Sequence, residues 1–460
     1  MADGPQAVIL AAGQGTRMRS TRPKVLHPLA GRALILHVVA TARAATGQEP
    51  IVVVNPAHSE MAEVLAGQAT AVPQREARGT GDALRSVPER LRHDGPVVVL
   101  AGDVPLLGTQ TLRSLLDIHE STGAPCALLT VVPEDPRGLG RIIRDSDGRV
   151  TAIVEERDLV PGLAPPTECN AGVYVFSGRL LWPALERLRP DNAQGEFYLT
   201  DVVAYLAGRV EGVLAADPRE AMGINDRRQL AAAEAVLRAR VLDALMEGGV
   251  TIEDPSTTYI DAQVHIGEDS VLRPMTSIRG PSSLGSGCVI GPMAQLRDVR
   301  AGDGVEIGSS VIEEAELGDG VTIGHFNRVR PNSTLRSGVS LGTHAEVKNS
   351  TIGADSRINH FSSVLDSDLG RGVNIGAGTV TCNYDGTAKH RITIDDAVFV
   401  GSNSTLVAPL HIARDAYIAA GSVVTGDVPQ GGLAVGRARQ RNVEGWRARR
   451  RAAAQREAPP

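Results

Sequence analysis

The sequence predicts two different folds in succession, an α/β domain with a mostly parallel sheet and then a parallel β-helix. Three observations predict this organisation. Short apolar runs alternate with helical patterns over residues 1–225, a helical pattern fills residues 226–249, and aliphatic residues recur at every sixth position beyond residue 260. We therefore expect an α/β domain over 1–225, a linker helix over 226–249, and a repeat domain with a C-terminal tail over 250–460.

Composition restricts the class of protein. At 460 residues the chain can hold two or three domains, and a net charge of −6 disfavours a nucleic-acid partner. The four cysteines form no C-x-x-C pair, which argues against zinc or redox chemistry and for reduced thiols. No apolar run approaches the length of a membrane span, and no basic-then-apolar leader opens the sequence. We expect a cytoplasmic protein with neither a nucleic-acid nor a membrane partner.

The α/β prediction for the first domain depends on six apolar runs and two clear helical patterns. The helices are expected over Ile35–Ala45 and Gln110–Glu120. In such sheets, ligands bind beyond the carboxyl ends of the strands. The strands are expected over Ala7–Leu10, Ile51–Val54, Val97–Leu100, Ala127–Val132, Thr151–Val154 and Gly172–Phe176.

A glycine turn follows the first of these strands, and it is the strongest local signal in the chain. Gly13 and Gly15 let the backbone turn sharply, and amide hydrogens in such a turn, with a helix start behind them, form an anion-binding nest. Arg17 and Lys24 add positive charge beside it. This combination of anion nest and positive charge suits a nucleoside triphosphate. The turn matches neither the Walker pattern nor the three-glycine dinucleotide pattern, so we expect another kind of phosphate-binding turn.

The six-residue period predicts a β-helix in which three hexapeptides make one coil. Aliphatic residues should point inward, and about 165 residues at roughly eighteen per coil predict about nine coils. The segment 382–390 breaks the period, so we expect it to project as a loop, and projecting loops often carry function. The period is clearest at Ile260, Ile266, Leu272, Ile278, Leu284, Ile290 and Leu296.

These motifs carry a family resemblance. The string L-A-A-G-x-G-T-R-M followed by P-K-V-L resembles the sugar-1-phosphate nucleotidylyltransferases, and the repeats resemble the hexapeptide acyltransferases. The whole order resembles the bacterial bifunctional N-acetylglucosamine-1-phosphate uridylyltransferase/glucosamine-1-phosphate acetyltransferase family. That resemblance implies a Rossmann-like nucleotidylyltransferase domain followed by a left-handed parallel β-helix. It also implies a homotrimer with acetyltransferase sites between neighbouring prisms, and acetyl-CoA, UTP and sugar-1-phosphates as substrates.

For uridylyl transfer, the resemblance implies roles for residues in the strings A-G-D-V-P, G-I-N-D-R, R-G-T-G-D-A and C-N-A-G-V. Arg17 and Lys24 would neutralise phosphates, and Asp103 and Asn225 would bind Mg²⁺. The uridine would be held by Ala12, Gly13, Gln74 and Gly79, and the acetylated sugar by Thr80, Gly140, Glu155 and Asn170.

For acetyl transfer, the resemblance implies that His360 is the general base, because a neutral histidine can take a proton near pH 7. Arg330 and Lys348 would bind the sugar phosphate. The acceptor and acetyl-CoA would be held by Asn374, Asn383, Lys389, Ser402, Ala420 and Arg437.

The chain departs from the family pattern at several positions. Gln14 stands where lysine is usual, and Ala101 replaces an often larger residue. Ser363 stands where a sugar-contacting tyrosine is expected and Leu365 where a glycine is expected, within the run H-F-S-S-V-L-D. The run Gly342–Glu346 departs from G-x-F-V-E.

Two alternatives to the bifunctional enzyme remain open from the sequence. One is a uridylyltransferase whose β-helix only assembles subunits or regulates them, which the changes at Ser363 and Leu365 favour. The other is a non-catalytic scaffold. Four residues present together argue against it, namely Arg17, Lys24, Asp103 and Asn225.

Overall fold

The computed structural model describes residues 4–13, 15–160, 165–206 and 209–456. The chain divides into two compact units, residues 1–241 and 242–460, so that the division falls within one long helix, α7 (Arg227–Glu247). The domain bounds given above remain a proposal. Of the helices in the described ranges, none is both long enough and apolar enough to cross a bilayer.

The first unit contains a nine-stranded sheet in the order β3-β2-β1-β4-β8-β5-β9-β7-β6. The six predicted strands and both predicted helices are present, with ends shifted by at most three residues. The strands are β1 (Gln6–Ala11), β2 (Ile51–Val54), β3 (Thr70–Pro73), β4 (Pro96–Ala101), β5 (Cys126–Val131), β6 (Arg141–Arg144), β7 (Val150–Val154), β8 (Cys169–Ser177) and β9 (Val210–Leu214). The helices that precede α7 are α1 (Leu34–Thr46), α2 (Glu60–Leu65), α3 (Thr80–Arg85), α4 (Thr109–Thr122), α5 (Gly178–Leu185) and α6 (Thr200–Tyr205).

The sheet is mixed rather than mostly parallel. Strand β8 pairs antiparallel with both β4 and β5 in the centre of the sheet, and β6 and β7 form an antiparallel pair at one edge. In the described parts of the chain between β6 and β8 (145–160 and 165–168), no helix is longer than one turn, and connections without a crossover helix join antiparallel strands. Parallel pairing is confirmed for β1 with β2 and β4, which places the ends of β1 and β4 side by side.

Apolar side chains cover both faces of this sheet, as predicted for a helix-covered sheet. One core packs α1 and α4 against one face, and the other packs α3, α5 and α6 against the opposite face. A smaller cluster joins Leu29, Leu34 and Leu106 to Ile224 and Ala233, and it seats the start of α7. The strand ends that bear the site are therefore held from both sides.

The second unit is a three-sided prism of parallel strands stacked in layers, as expected for the predicted left-handed β-helix. Its described sheets contain 11, 10 and 9 strands, and we call them face 1, face 2 and face 3. Pairing starts at Thr251, before the expected position 260, so the prism exceeds the nine coils predicted. The early strand was missed because Ile252 and Ile260 are eight residues apart, which breaks the six-residue period.

Each face is built from strands of two or three residues. Face 1 contains Thr251–Ile252, Val271–Leu272, Val289–Ile290, Glu306–Ile307, Thr322–Ile323, Ser340–Leu341, Arg357–Ile358, Asn374–Ile375, Phe399–Val400, Tyr417–Ile418 and Leu433–Ala434. Face 2 contains Tyr259–Ile260, Ser277–Arg279, Gln295–Arg297, Val311–Glu313, Arg328–Val329, Glu346–Lys348, Ser363–Leu365, Val380–Cys382, Thr405–Val407 and Val423–Val424. Face 3 contains His265–Ile266, Ser283–Leu284, Arg300–Ala301, Ala315–Leu317, Ser333–Leu335, Thr351–Ile352, Ser367–Leu369, Ile392–Ile394 and Leu410–Ile412.

The aliphatic residues of the six-residue period point into the prism. Ile278, Ile312, Val329 and Ile358, for example, are fully buried. The last helix of the described residues, α8 (Trp446–Arg456), is rich in arginine, and its described side chains are exposed. Since every layer is hydrogen-bonded to the next, residues one coil apart lie directly above one another.

Candidate functional sites

A cleft of about 650 Å³ opens in the first unit beyond the ends of β1 and β4. This is where a parallel α/β sheet is expected to bind its ligand. Nine of the predicted residues line the cleft, namely Ala12, Gly13, Lys24, Gln74, Gly79, Thr80, Asp103, Glu155 and Asn170. Arg17, Asn225 and Gly140 lie beside the cleft rather than in its lining, and Gln14 lies outside the described residues.

Two positively charged side chains and two side-chain oxygen atoms converge at one end of this cleft. The Lys24 ammonium contacts a carboxylate oxygen of Asp103 and lies 2.9 Å from Asn225 Oδ1. Arg17 donates to the same Asn225 oxygen at 3.0 Å. Two oxygen ligands from distant parts of the chain therefore point at a single position, which a cationic group occupies.

The glycine turn makes this arrangement sterically accessible. Gly15 has φ 62°, and a Cβ there would lie 2.6 Å from the Cβ of Lys24. A larger residue would thus push Lys24 away from Asp103. Behind the turn lies a single 3-10 turn, Thr16–Met18, instead of the longer helix that the sequence suggested.

Gln74 is buried and its orientation is determined by its neighbours. Its Nε2 donates to Asp82 Oδ2 at 2.9 Å and more weakly to the Gly79 carbonyl at 3.4 Å. Both contacts use the amide nitrogen, so Oε1 is left as a hydrogen-bond acceptor. Sequence reasoning missed Asp82, although it lies inside the quoted R-G-T-G-D-A string.

Glu155 is a half-buried carboxylate in the lining of the cleft. Thr200 donates to it at 3.1 Å, and Gly140 lies so close that a Cβ there would approach both carboxylate oxygens to 3.5 Å. Burial raises the pKa of Glu155 above its ordinary value, and the Thr200 hydrogen bond opposes this only in part. The site thus holds a poorly solvated carboxylate that can accept further hydrogen bonds from a ligand.

A second network supports Asn170. The Asn170 amide nitrogen donates to the Tyr174 hydroxyl at 2.6 Å, while its Oδ1 accepts from the Gly172 backbone at 3.0 Å. Tyr174 and Thr200 both line the cleft, and sequence reasoning missed both. A sequence signal existed for each, since Tyr174 follows C-N-A-G-V and Thr200 lies in Y-L-T-D.

In the second unit, the predicted acetyl-transfer residues fall at two corners of the prism. The corner between faces 1 and 2 places His360, Ser402 and Ala420 in one column, with Ala377 in the layer between His360 and Ser402, and backbone hydrogen bonds join each layer to the next. Asn374 lies on face 1 two residues before that corner, and Arg437 lies beside Gly421. We call this group the histidine corner.

His360 is exposed, and its ring is held by the layer below. Nδ1 lies 3.2 Å from both the backbone nitrogen and the hydroxyl of Thr343. Because a backbone N–H can only donate, this contact favours the neutral tautomer with its hydrogen on Nε2. For Nε2 to accept a proton, the ring must release Thr343 or turn about its Cβ–Cγ bond.

The corner between faces 2 and 3 holds a basic cluster. Arg330, Lys348 and Lys389 lie close enough that the contact with Lys389, followed by the charge of Arg330, lowers the pKa of Lys348. Glu346 pairs with Arg330 at 2.9 Å, and Asp366 lies between the two lysines and two asparagines. We call this group the basic corner.

The segment that breaks the hexapeptide period leaves the stack here, as predicted. Ser367 pairs with Ile392, 25 residues later, whereas Ile392 pairs with Leu410 after the usual 18. We call residues 383–391 the inserted loop. It is an ordered turn with an antiparallel bridge between Tyr384 and Lys389.

The departures from the family pattern within the second unit lie near these two corners. Ser363 and Leu365 are the two outward residues of one strand of face 2, and Leu365 pairs with Lys348. His344 stacks on Phe361 at 4.9 Å along the histidine corner. An apolar side chain thus lies next to the basic corner, where the family pattern has glycine.

Comparisons with known proteins identify relatives of this chain. A model of the MobA-like NTP transferase domain matches residues 7–205. Proteins named "Bifunctional protein GlmU" match nearly the whole chain: that of Streptomyces avermitilis is 46% identical, with 96% of this chain and 94% of the relative covered. Those of Brevibacillus brevis (43%; 95% and 95% covered) and Thermobifida fusca (44%; 98% and 96% covered) are similar. A putative glucose-1-phosphate thymidylyltransferase from Bacillus anthracis aligns with 50% of this chain and 94% of its own at 19% identity, with a TM-score of 0.43.

A nucleotidyltransferase cleft on an α/β sheet, followed on the same chain by a hexapeptide prism, defines a two-domain transferase. The chain belongs to the GlmU family of bifunctional proteins. The resemblance seen in the sequence is thereby confirmed, as is the enzyme class it implied, a uridylyltransferase joined to an acetyltransferase.

We predict that Glu155→Gln makes the protein more stable at neutral pH and less active in nucleotidyl transfer. Because the pKa of Glu155 is raised in the folded state, the protonated carboxyl is favoured by folding. Its contribution to the free energy of unfolding is therefore lost as the pH rises through the folded-state pKa. The neutral amide of the variant would carry no such penalty, and its advantage should disappear toward the ordinary glutamate pKa. Activity should fall about tenfold, the worth of one hydrogen bond to a charged group.

Urea denaturation at pH 7 and pH 4, with the exposed Glu89→Gln as the matched control, measures the stability difference. An equal difference at both pH values would contradict the assignment.

Proposed function

We propose that the chain catalyses two steps toward UDP-N-acetylglucosamine. The second unit transfers the acetyl group of acetyl-CoA to glucosamine-1-phosphate. The first unit then joins the product, N-acetylglucosamine-1-phosphate, to UTP and releases pyrophosphate. The observation that carries the proposal is the convergence of Lys24, Asp103 and Asn225 in the cleft of one unit, with a separate histidine and basic cluster in the other.

In uridylyl transfer, a phosphate oxygen of the sugar attacks the α-phosphorus of UTP while the bond to the β-phosphate breaks. Catalysis of this kind consists mainly of positioning and charge stabilisation. Arg17 and Lys24 stabilise the phosphates, and the Ala12–Gly13 backbone lies beneath the nucleotide. The free Oε1 of Gln74 accepts from the N3–H of uracil, with Gly79 beside it.

The acetylated sugar binds at the opposite end of the cleft. Glu155 accepts from its hydroxyls, and Gly140 leaves room for the approach. Thr80 and Asn170 line the same space. The partial burial of Glu155 strengthens each hydrogen bond it accepts.

Membership of a nucleotidyltransferase family indicates a divalent metal, and we propose that the metal is Mg²⁺. Asp103 and Asn225 fit it, because a carboxylate oxygen and an amide oxygen already converge on one cationic group. Among the described residues, no group of three or more His, Cys, Asp or Glu side chains could hold a metal. Phosphate and water oxygens would complete the shell, and the metal would neutralise phosphate charge.

In acetyl transfer, the sugar amine forms a bond to the acetyl carbon and the carbon–sulfur bond breaks. His360 takes the amine proton, and the coenzyme A thiolate leaves. Arg330, Lys348 and Lys389 hold the sugar phosphate, Asn374 and Asn383 contact the acceptor, and Ser402, Ala420 and Arg437 line the path of coenzyme A. The four unpaired cysteines support a cytoplasmic location for this chemistry.

The separation of the two corners supports a homotrimer with shared sites. His360 and Asp366 are six residues apart and lie at opposite edges of face 2, at most roughly 20 Å from each other. A neighbouring prism can bring its basic corner to the histidine corner of the first. Exposed side chains also form a strip along the histidine corner, with Phe326 62% and Phe361 67% exposed and His344 stacked between them. Strips of this kind favour association.

A second candidate function retains uridylyl transfer but gives the β-helix an assembly role alone. Leu365 favours this alternative, because it places an apolar side chain next to Lys348. Release of free thiol from acetyl-CoA and glucosamine-1-phosphate, in the absence of UTP, decides between the two. Thiol release selects the bifunctional enzyme, and its absence selects the alternative.

We predict that the two activities separate by mutation. Asp103→Ala should reduce uridylyl transfer at least about 100-fold and leave acetyl transfer unchanged, because it removes a carboxylate that would hold the metal ion, and that ion would stabilise the negative charge of the phosphates in the transition state. His360→Ala should do the reverse. Pyrophosphate release and thiol release measure the two steps on the same preparations, and parallel loss of both in a folded variant would contradict two independent sites.

Metal removal should affect only one step. Excess EDTA should abolish pyrophosphate release, and added Mg²⁺ should restore it, since the cleft supplies only two oxygen ligands and relies on the ion for charge neutralisation. Thiol release should be unchanged by EDTA. A nucleotidyl step that continues without any divalent ion would refute the metal assignment.

Mixed assemblies test the shared site. His360→Ala and Lys389→Ala chains should each be inactive in acetyl transfer. Assembled together, random trimers should regain about a quarter of the native rate, because one interface in four combines two intact contributions. Confirmed mixed trimers that remain inactive would show that each prism holds a complete site of its own.

A further inference from the structure

Asp366 lies at the basic corner in a conformation that few residues adopt. It has φ 47° and is 6% exposed. Buried carboxylates are rare unless hydrogen-bonded, and this one accepts from two side chains. Asn349 Nδ2 donates to one carboxylate oxygen and Asn383 Nδ2 donates to the other.

The residue also contacts both ends of the inserted loop. Its carboxylate holds the Asn383 side chain at the beginning of the loop, and its backbone carbonyl accepts from Ile392 N, just after the loop, at 3.2 Å. The Asn383 carbonyl in turn accepts from His390 N at 2.8 Å. The loop that carries Lys389 is therefore held at its base by Asp366.

The contact with Asp366 sets the orientation of the Asn383 amide. An ionised carboxylate only accepts hydrogen bonds, so Asn383 must present its NH₂ group to Asp366 and its Oδ1 away from it. Among the residues that the structure describes, no group donates to that Oδ1. It is left as an acceptor for an N–H or O–H group of a ligand.

Charge gives Asp366 a second effect. Lys348 and Lys389 are like charges in close proximity, and their repulsion disfavours the arrangement. Glu346 is already paired with Arg330. Burial alone would raise the pKa of Asp366, but the two asparagine hydrogen bonds and then the charges of both lysines lower it below its ordinary value. The carboxylate therefore stays ionised and attracts both ammonium groups.

We propose that Asp366 is a positioning residue for acetyl transfer: it fixes the base of the inserted loop, turns the Asn383 carbonyl oxygen toward the acceptor sugar, and holds Lys348 and Lys389 together for its phosphate. The role rests on the proposed acetyltransferase function. In this role Asp366 does not contact a substrate. It acts through Asn383 and the two lysines.

The test compares Asp366→Asn with Asp355→Asn in the full-length chain. Asp355 is a matched control, because it is also a corner aspartate with positive φ (60°), but it is exposed and pairs with Arg371. Asp366→Asn would replace one of the two accepting carboxylate oxygens with an NH₂ group, which cannot accept from the neighbouring asparagine, and it would remove the negative charge. We expect kcat/KM for glucosamine-1-phosphate to fall about 10- to 100-fold, with the KM for acetyl-CoA unchanged.

A second measurement does not depend on activity. Hydrogen–deuterium exchange should rise in the peptide covering residues 383–392 and stay unchanged elsewhere in the prism. The uridylyl activity of the same preparation reports whether the first unit is intact.

Three results would overturn the proposal. Asp366→Asn could match Asp355→Asn in both measurements. It could raise the KM values for both substrates equally while exchange increases throughout the prism, which indicates a purely structural role. If the unmodified chain performs no acetyl transfer, the proposed function itself fails. Increased exchange in the inserted loop of Asp366→Asn would then show that Asp366 stabilises the loop without any role in catalysis.

Discussion

The hydrogen bonding of each coil to the next is the constraint from which the second unit follows. Parallel pairing along all three faces places residues one coil apart in vertical columns, and buried aliphatic residues fix which side chains face outward. His360, Ser402 and Ala420 share a column only because of this stacking. A slip of one residue at any layer would turn these side chains away from their shared surface.

In the first unit, a comparable constraint comes from parallel pairing of β1 with β4. It sets the glycine turn beside Asp103, and Gly15 then lets Lys24 approach the carboxylate. The charges of this site come from segments far apart in the chain. Its other end is built differently, with the half-buried Glu155 held by Thr200 and the buried Asn170 held by Tyr174. One end of the cleft is suited to phosphate and the other to neutral hydroxyl groups.

Much of this organisation could be predicted from the sequence, because periodicity reports directly on buried faces. The six-residue period predicted the prism, and apolar runs predicted six strands of the sheet. Strands β3, β6 and β9 were missed. Strand β3 ends in Pro73 at the sheet edge, β6 is bounded by Arg141 and Arg144, and the apolar run of β9 is interrupted by Glu211 and Gly212. The antiparallel position of β8 could not be inferred, since pairing direction depends on the path of the chain and not on local pattern.

The site residues divide in the same way. Motif strings located Lys24, Asp103 and Gln74, but the hydrogen bonds that orient them are long-range and leave no local trace. Asp82 holds Gln74 from a helix, and Thr343 holds the His360 ring from another coil. The tautomer of His360 is a property of that packing, so it became visible only in three dimensions.

The inserted loop leaves the coil at Asn383 and returns at Ile392, and the layers above and below keep their alignment. A stacked scaffold therefore tolerates extra chain at a corner without any change in the scaffold itself. Loop length and composition can vary in evolution while the column of inward aliphatic residues is retained. In a repeat protein of this kind, new substrate preferences can arise at the corners at little expense to folding.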